Sequence, residues 1–460
     1  MVVRQRLYSW LPPAAQSAAI SIEGWQLRRE RLGGDFAARL AEYLRRERAS
    51  EDEWREVRAR RLRRLLEHAA RHLPYWRDLF RRTGLDPARV VGPDDLRVLP
   101  VMTKDTIRAN RAGMIWHGAP ARLVRTVHTS GTTGAGLVFP TTLDAIRDQY
   151  AVWWRYRSRF GLDPKTWAAT FGGRTVVPKA AARPPFWRVN RVGRQVLYSQ
   201  YHLGPATASA YLADLARRDL PWWHGYPSIL ALLASFVGPD ARGPRARVIT
   251  LGAENLLSVQ RRAIQRAFGV DPIQHYGMAE GAANASQCPA GRMHVDEDYA
   301  AVELESECDG RVRILGTCLE NLVLPFIRYD TGDLARVLPT PCECGLPGRA
   351  LEAIDGRQED LVILADGSRV GRLDHLFKDM ENVAEAQIRQ PEPGRCTIAI
   401  VPREGWGPAD EALLLGECAE RFGARLEVRI VLVDQLPRTG AGKLRLVVSD
   451  LSEGRLEPKA

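Results

Sequence analysis

Hydrophobic positions recur at intervals of three and four from about residue 35 to residue 82: Phe36, Leu40, Tyr43 and Leu44, then Leu62, Leu65, Leu66 and His68. That period predicts antiparallel helices packed on a larger body. From about 120 to 355 the pattern changes. Short β-branched or apolar runs at 248–251, 300–304 and 312–315 alternate with helical stretches at 206–217 and 259–268, an alternation that indicates α/β layers. A glycine and a cluster of charges interrupt the chain at 355–360, after which the pattern restarts. Strand patterns fall at 361–364, 396–401 and 426–433, and helical ones near 372–380 and 410–422. The expected architecture is α/β. A large multi-layer domain covers 1–355, with 1–98 largely helical, and a small α+β domain covers 356–460.

Composition narrows the classes. A chain of 460 residues exceeds the size at which one core stops growing, so two domains are the default. The net charge of +11 comes from 66 Lys and Arg against 55 Asp and Glu. Much of the excess is arginine at 45–64, where Arg alternates with Glu at helical spacings. This reads as a solvated, salt-bridged helix rather than a nucleic-acid site. A modest positive field also draws anionic small molecules. Pro12 and Pro13 interrupt the apolar positions near the start, and no run approaches the ~20 residues that cross a bilayer. Seven cysteines, an odd number, argue for a reducing compartment over a disulfide framework. The chain reads as a cytoplasmic protein.

Residues 129–136 read Thr-Ser-Gly-Thr-Thr-Gly-Ala-Gly. Gly131, Gly134 and Gly136 permit tight turns and close approach of the backbone to a ligand, while Thr129, Ser130, Thr132 and Thr133 add hydroxyl donors. Such a loop suits a phosphate chain. No lysine follows it, which excludes the loop of P-loop ATPases. Alone, the loop reads equally well as a Ser/Gly hairpin turn.

Four further stretches arrive in order: HYGMAEG at 275–281, IRYDTGDLARV at 327–337, DGRQEDLV at 355–362 and LPRTGAGKLR at 436–445. Together with the loop they resemble the adenylate-forming superfamily. Within it the chain is most similar to the phenylacetate-CoA ligase branch, including homologues linked to capsular polysaccharide biosynthesis. The stretch from Leu62, the segment 98–108 and HGYPSIL at 224–230 carry that closer likeness.

The resemblance implies an enzyme in which a carboxylate attacks the α-phosphate of ATP, a reaction carried by positioning and electrostatics. The loop, with Thr133 as a catalytic hydroxyl, wraps the β- and γ-phosphates, and Glu280 holds Mg²⁺. Asp333 takes the ribose hydroxyls and Arg357 reaches ribose or phosphate. His275, Tyr276, Gly277 and Met278, with Gly252, Ala253 and Glu254, line the nucleotide. Lys443 brings a point charge to the developing negative charge during adenylation. The small domain is then mobile, pivoting at Glu359 or Asp360. Glu359 stands where the family usually has aspartate, and the lysine often found near the end of the loop is replaced by Ala135, Gly136 and Leu137.

Cys342 and Cys344, with Cys288 and His294 about fifty residues earlier, supply three thiols and an imidazole, a complete set for tetrahedral zinc. Similar residues in some members of the branch suggest a structural zinc; free thiols in a reduced cytosol are the other reading. Cys308, Cys318, Cys396 and Cys418 stand alone as small core residues. The acyl pocket is expected around Phe171-Gly172-Gly173, Trp222 to Tyr226, and Gly277 to Ala283. Gly281, Ala282 and Ala283 would leave room for a bulky acid there. A Trp222–Trp223 pair beside Pro221 is more often packing than substrate wall.

The second step transfers the acyl group to coenzyme A, with an amine or hydroxyl as the alternative acceptor. A degenerate nucleotide-binding homologue is the non-enzymatic reading. Partners are a small carboxylic acid and the acyl acceptor, with no nucleic acid and no membrane span. Residues 1–55 either cover the core or contact a second copy in a homodimer.

Overall fold

The structure is a computed structural model. It describes residues 7–128, 137–238, 241–253, 256, 258–307, 311–355, 362–370, 373–377, 380, 382–402, 404–437 and 446–449.

The amino-terminal helices are α1 (Pro13–Leu32), α2 (Phe36–Arg46), α3 (Glu51–His72) and α4 (Pro74–Thr83). Helix α1 falls within the region expected to be largely helical, although the apolar period did not mark it and Pro13 reads as a breaker. It occupies the first turn, where its missing N–H costs nothing. Ser50 caps α3 by accepting from the Glu53 N–H, and Leu62, Leu65, Leu66 and Ala69 on its inner face are fully buried. Helix α5 (Lys104–Met114), capped by Thr103, completes this helical region.

A hairpin of β1 (Val124–His128) and β2 (Val138–Thr142) flanks the glycine-rich segment, and α6 (Leu143–Ser158) follows directly. The central strands are β3 (Ala168–Gly172), β4 (Trp187–Asn190), β5 (Gln195–Ser199), β6 (Trp222–Gly225), β7 (Val248–Leu251), β8 (Ile273–Gly277), β9 (Asn284–Gln287), β10 (Met293–Val295), β11 (Ala300–Ser306), β12 (Val312–Cys318), β13 (Tyr329–Val337) and β14 (Ala350–Asp355). They form one ladder in the order β11-β12-β13-β14-β10-β9-β8-β7-β6-β3-β5-β4. Strands β5, β3, β6, β7 and β8 run parallel, connected by α7 (Ala208–Arg218), α8 (Pro227–Ser235) and α9 (Ser258–Phe268). The other half is antiparallel from β8 onward. Strand β8 is therefore the seam between the two halves.

The small domain carries β15 (Val362–Ile363), β16 (Arg369–Val370), β17 (Val383–Glu392), β18 (Arg395–Pro402), α10 (Pro408–Phe422), β19 (Glu427–Leu432) and β20 (Val447–Ser449). Its sheet runs β19-β18-β17-β20 around a core of its own that includes Leu373, Phe377, Ile398, Leu414 and Phe422. The expected helix near 372–380 is a 3₁₀ turn at Leu373–Phe377, and β17 was not foreseen. The α/β architecture, with a large domain and a smaller one after it, is as expected.

The arginine-rich segment differs from its sequence reading. Exposed local pairs exist, such as Arg55 with Asp52, but the inward arginines reach partners far along the chain. Arg46 binds Asp298, Arg58 binds Glu297, and Arg61 bridges Asp148 and Glu320. These partners are buried, so the helix is clamped to the body by charge as well as by its leucines.

Candidate active site

In a sheet with parallel strands, ligands bind beyond the carboxyl ends, where loops diverge. Here β6 and β7 end at Gly225 and Leu251, and the residues that follow, Tyr226, Gly252 and Ala253, line a cavity of about 510 Å³. Strand β8 contributes His275 and Gly277, and the turn after it contributes Met278, Glu280 and Gly281. Side-chain space is tight at these ends. A Cβ on Gly252 would lie 3.0 Å from the His275 ring, and Ala253 itself has φ 68°.

Tyr276 donates from its hydroxyl to the Asp333 carboxylate at 2.8 Å. Two motifs nearly sixty residues apart in sequence thus meet at one hydrogen bond. Asp333 lies within β13 rather than in a free turn. The Asp-Thr-Gly-Asp run is an irregularity of the β12–β13 ladder, where Gly332 takes φ 74° and the register shifts.

Glu280 is 5% exposed and accepts from the Tyr329 hydroxyl at 3.0 Å. Among the described residues no basic side chain pairs with it. A buried carboxylate costs several kcal/mol without a cation, so this position fits a divalent ion such as Mg²⁺. It lies in a turn after a strand, not at a helix N-terminus.

The pocket expectations divide. His224, Tyr226 and Gly281 line the cavity as foreseen. Trp223 does not: it is fully buried against Phe171 and Phe268, the packing role that its place beside Pro221 favoured. Ala282 and Ala283 are also core residues, so of the small-residue run only Gly281 offers space. The 129–136 loop (Thr129, Ser130, Gly131, Thr132, Thr133, Gly134), Glu254, Arg357, the pivot pair and Lys443 lie outside the described residues, as does Cys308. Cys318, Cys396 and Cys418 are buried in cores as expected.

Helix α6 supplies the wall that sequence reasoning missed. Gln149, Trp153 and Arg157, spaced by four on one helical face, line the cavity together with Tyr150. Gln149 donates to the Met278 carbonyl at 2.7 Å, and Trp153 donates to Asn284 at 2.9 Å. A polar stripe at that spacing was the available signal. Burial, then the Arg157 charge, pushes His224 down to about 3 and His275 well below the ordinary histidine value. Both rings are neutral in the folded state.

The cysteine set comes together. The ligand atoms of Cys288, His294, Cys342 and Cys344 lie within 4.8 Å of one another. Cys288 and Cys342 sulfurs are 3.8 Å apart, and Cys344 Sγ is 3.3 Å from His294 Nε2. His294 Nδ1 is 3.2 Å from the Pro347 carbonyl, which fixes the ring so that Nε2 faces the thiols. The donor set, with the His294 ring held by the Pro347 carbonyl, fits zinc.

Comparison with known proteins bears on the whole arrangement. A solved 2-hydroxyisobutyryl-CoA ligase, in complex with 2-HIB-AMP and CoA, superposes with a TM-score of 0.54 over 88% of this chain and 91% of that one, at 18% identity. The same ligase in the postadenylation state gives 0.53. The chain has the adenylate-forming fold. Relatives also appear by sequence. Protein CapK of Staphylococcus aureus is 21% identical over 455 residues, covering 97% of this chain and 99% of CapK. Phenylacetate-coenzyme A ligase of Escherichia coli K12 is 26% identical over 347 residues, covering 69% and 74% respectively. Residues 362–450 match the CapK C-terminal domain family. The resemblance read from the five motifs is the one that these comparisons return.

Proposed function

We propose that the chain activates a carboxylic acid with ATP through an acyl-adenylate and transfers the acyl group to coenzyme A. The observation that carries this reading is the gathering of buried Glu280, the Gly252-Ala253 turn and the end of β8 around one cavity, with Tyr276 of that same strand end bonded to Asp333. In this reading Tyr276 holds the Asp333 carboxylate ready for the ribose hydroxyls, and Gly252 and Ala253 pass close to the base. Glu280, oriented by Tyr329, holds Mg²⁺, which when bound neutralises phosphate charge. His275, Gly277 and Met278 wall the junction between nucleotide and acid, and Lys443 and Arg357 act from the carboxy-terminal side, with 356–460 as the mobile domain. The phenylacetate-coenzyme A ligase relatives support coenzyme A as acceptor and an aryl or arylacetic acid as substrate.

The test is ATP–pyrophosphate exchange across aryl, arylacetic, fatty and amino acids, with and without coenzyme A. Exchange with one acid class and thioester formation are expected, and Glu280→Gln should slow exchange about 10²-fold or more. Exchange unaffected by coenzyme A, with acyl transfer to an amine or hydroxyl, would replace the acceptor. No exchange with any acid would overturn the reading.

The Cys288–His294–Cys342–Cys344 cluster we assign as a structural zinc site. It joins the turn after β9 and strand β10 to the loop between β13 and β14.

A further inference from the structure

The carboxylate and guanidinium side chains that line the cavity are Glu30, Arg31, Arg125, Arg157, Glu280 and Glu320. Most are accounted for. Glu30 pairs with Arg125 at 2.8 Å, Glu320 is held by Arg61 and Arg64, and Glu280 accepts from Tyr329. Two arginines are left over, Arg157 and Arg31.

Arg157 is 6% exposed, and among the described residues no carboxylate, carbonyl or hydroxyl accepts from its guanidinium. Among the described residues its buried Nε has no hydrogen-bond partner. The charge lies over the rings of both Trp154 and Trp222, 5.0 and 5.1 Å from their centroids, contacts that soften the desolvation of a cation without supplying an anion. The groups that it influences or that act on it are the neutral imidazoles of His224 and His275, the Tyr150 and Tyr156 hydroxyls and the like-charged Arg31. Arg31 lies over the Tyr150 ring at 5.0 Å. Among the described residues the Tyr156 hydroxyl and His275 Nδ1 likewise have no hydrogen-bond partner.

A buried, unpaired arginine is costly, and proteins keep one where something else completes it. Its place in the fold says what. Trp222 begins β6 and His224 is its third residue, whereas the reacting end of the cavity is at Tyr226 and beyond. At ~3.3 Å per residue, Arg157 lies roughly 3–10 Å back from the strand end at Gly225. That is the far end of the acid, not its reacting carboxylate and not the phosphates.

We infer that the acid activated at this site carries a second anionic group, a carboxylate or an equivalent oxyanion, which binds Arg157 at the floor of the cavity. This rests on the acid-activation reading above and adds the substrate class to it. The planar fork of the guanidinium suits bidentate binding of such a group.

The test pairs acids matched in shape: 4-carboxyphenylacetate with 4-methylphenylacetate, and glutarate with pentanoate, plus 4-sulfophenylacetate as a non-carboxylate oxyanion. Binding is read from intrinsic tryptophan fluorescence, since Trp153, Trp154 and Trp222 surround the floor, and turnover from pyrophosphate exchange. The dianionic member of a pair should bind about 10- to 100-fold more tightly. Arg157→Met should collapse that ratio to near one while leaving Tm unchanged or higher, because it removes an uncompensated buried charge. Arg157→Lys, which keeps the charge and loses the fork, should retain part of the preference and serves if the methionine variant does not fold. Dianion binding that depends on Arg157 without any exchange would support this inference and remove the adenylation reading. Exchange confined to the neutral-tailed acids would keep adenylation and overturn the inference. Failure of every dianion to bind at millimolar concentration, or a preference that survives Arg157→Met, would also overturn it.

Discussion

Two histidines on β6 and β8, with β7 between them, show how desolvation and one buried charge act together. His224 and His275 are half-buried and neutral, with His224 at about 3 and His275 also well depressed, first by desolvation and then by Arg157. Their unfolded values are near 6.5, so the unfolded chain takes up these protons first as pH falls. Stability from both groups is complete above about pH 6.5 and is lost as pH falls from there toward 3, at about 1.4 kcal/mol per pH unit for each proton. Thermal unfolding between pH 7 and 5 should therefore show Tm dropping steeply. His224→Gln, which can still reach the Thr250 hydroxyl now 2.8 Å from the ring, should reduce that slope by about one proton. An unchanged slope would mean that His224 titrates in the folded state. The same scale shows what the sequence could not carry: Tyr276 and Asp333 each stood out by motif, but their mutual hydrogen bond is set by how β8 and β13 lie in space. Arg157 carried no motif, and its meaning depends on partners that are missing around it.

Helix α3 shows the same limit one level up. Its apolar period was legible because burial of one face repeats every three to four residues. Its charges were misread because their partners lie more than eighty residues away, as Arg61 with Asp148 and Glu320. Local spacing suggests solvated pairs, whereas tertiary packing made some of them internal. The distinction is measurable. Arg61→Met removes one of the cations shared by two buried carboxylates, leaving Arg39 with Asp148 and Arg64 with Glu320, and should cost about 1.5–3 kcal/mol in denaturant unfolding. Arg55→Ala, which breaks only the exposed pair with Asp52, should cost less than about 0.5 kcal/mol. Similar losses in both would make the clamp a surface feature. Helix α1 was hidden for another reason: its proline sits at the one position where a helix tolerates it, and its apolar residues form only a weak stripe. Strand β17 was hidden because Ala, Gln and Arg interrupt its alternation, yet β18 and β20 flank it on both sides.

For the molecule as a whole, the cysteine cluster joins segments of the antiparallel half that are far apart in the chain. Protein purified without chelator should contain about one zinc per chain by elemental analysis, since three thiolates and an imidazole complete one tetrahedral shell. Cys342→Ala with Cys344→Ala should abolish the metal and lower Tm. Full stability with no metal in the native protein would assign the cluster to free thiols. The division into a large and a small domain was legible because the periodicity stops and restarts, and the family resemblance was legible because five short motifs keep their order. The cavity wall was not, since it is made by a helix that follows the first of those motifs and meets the others only after folding.

The seam at β8 has a mechanical consequence. Strands β7 and β8 share only the Thr250–Ile273 and Leu251–Gln274 pairings, whereas β11 and β12 are matched along seven. The large domain is thus two stiff plates joined along a narrow line, and the cavity opens across that line. A compound touching both the Gly252-Ala253 turn and the His275–Gly277 segment would act as a splint. Amide exchange at 273–277 should be faster than in β11–β12 when the cavity is empty, and should slow when ATP and a suitable acid are bound. Equal protection in both strands, with or without ligand, would mean that the plates are already locked.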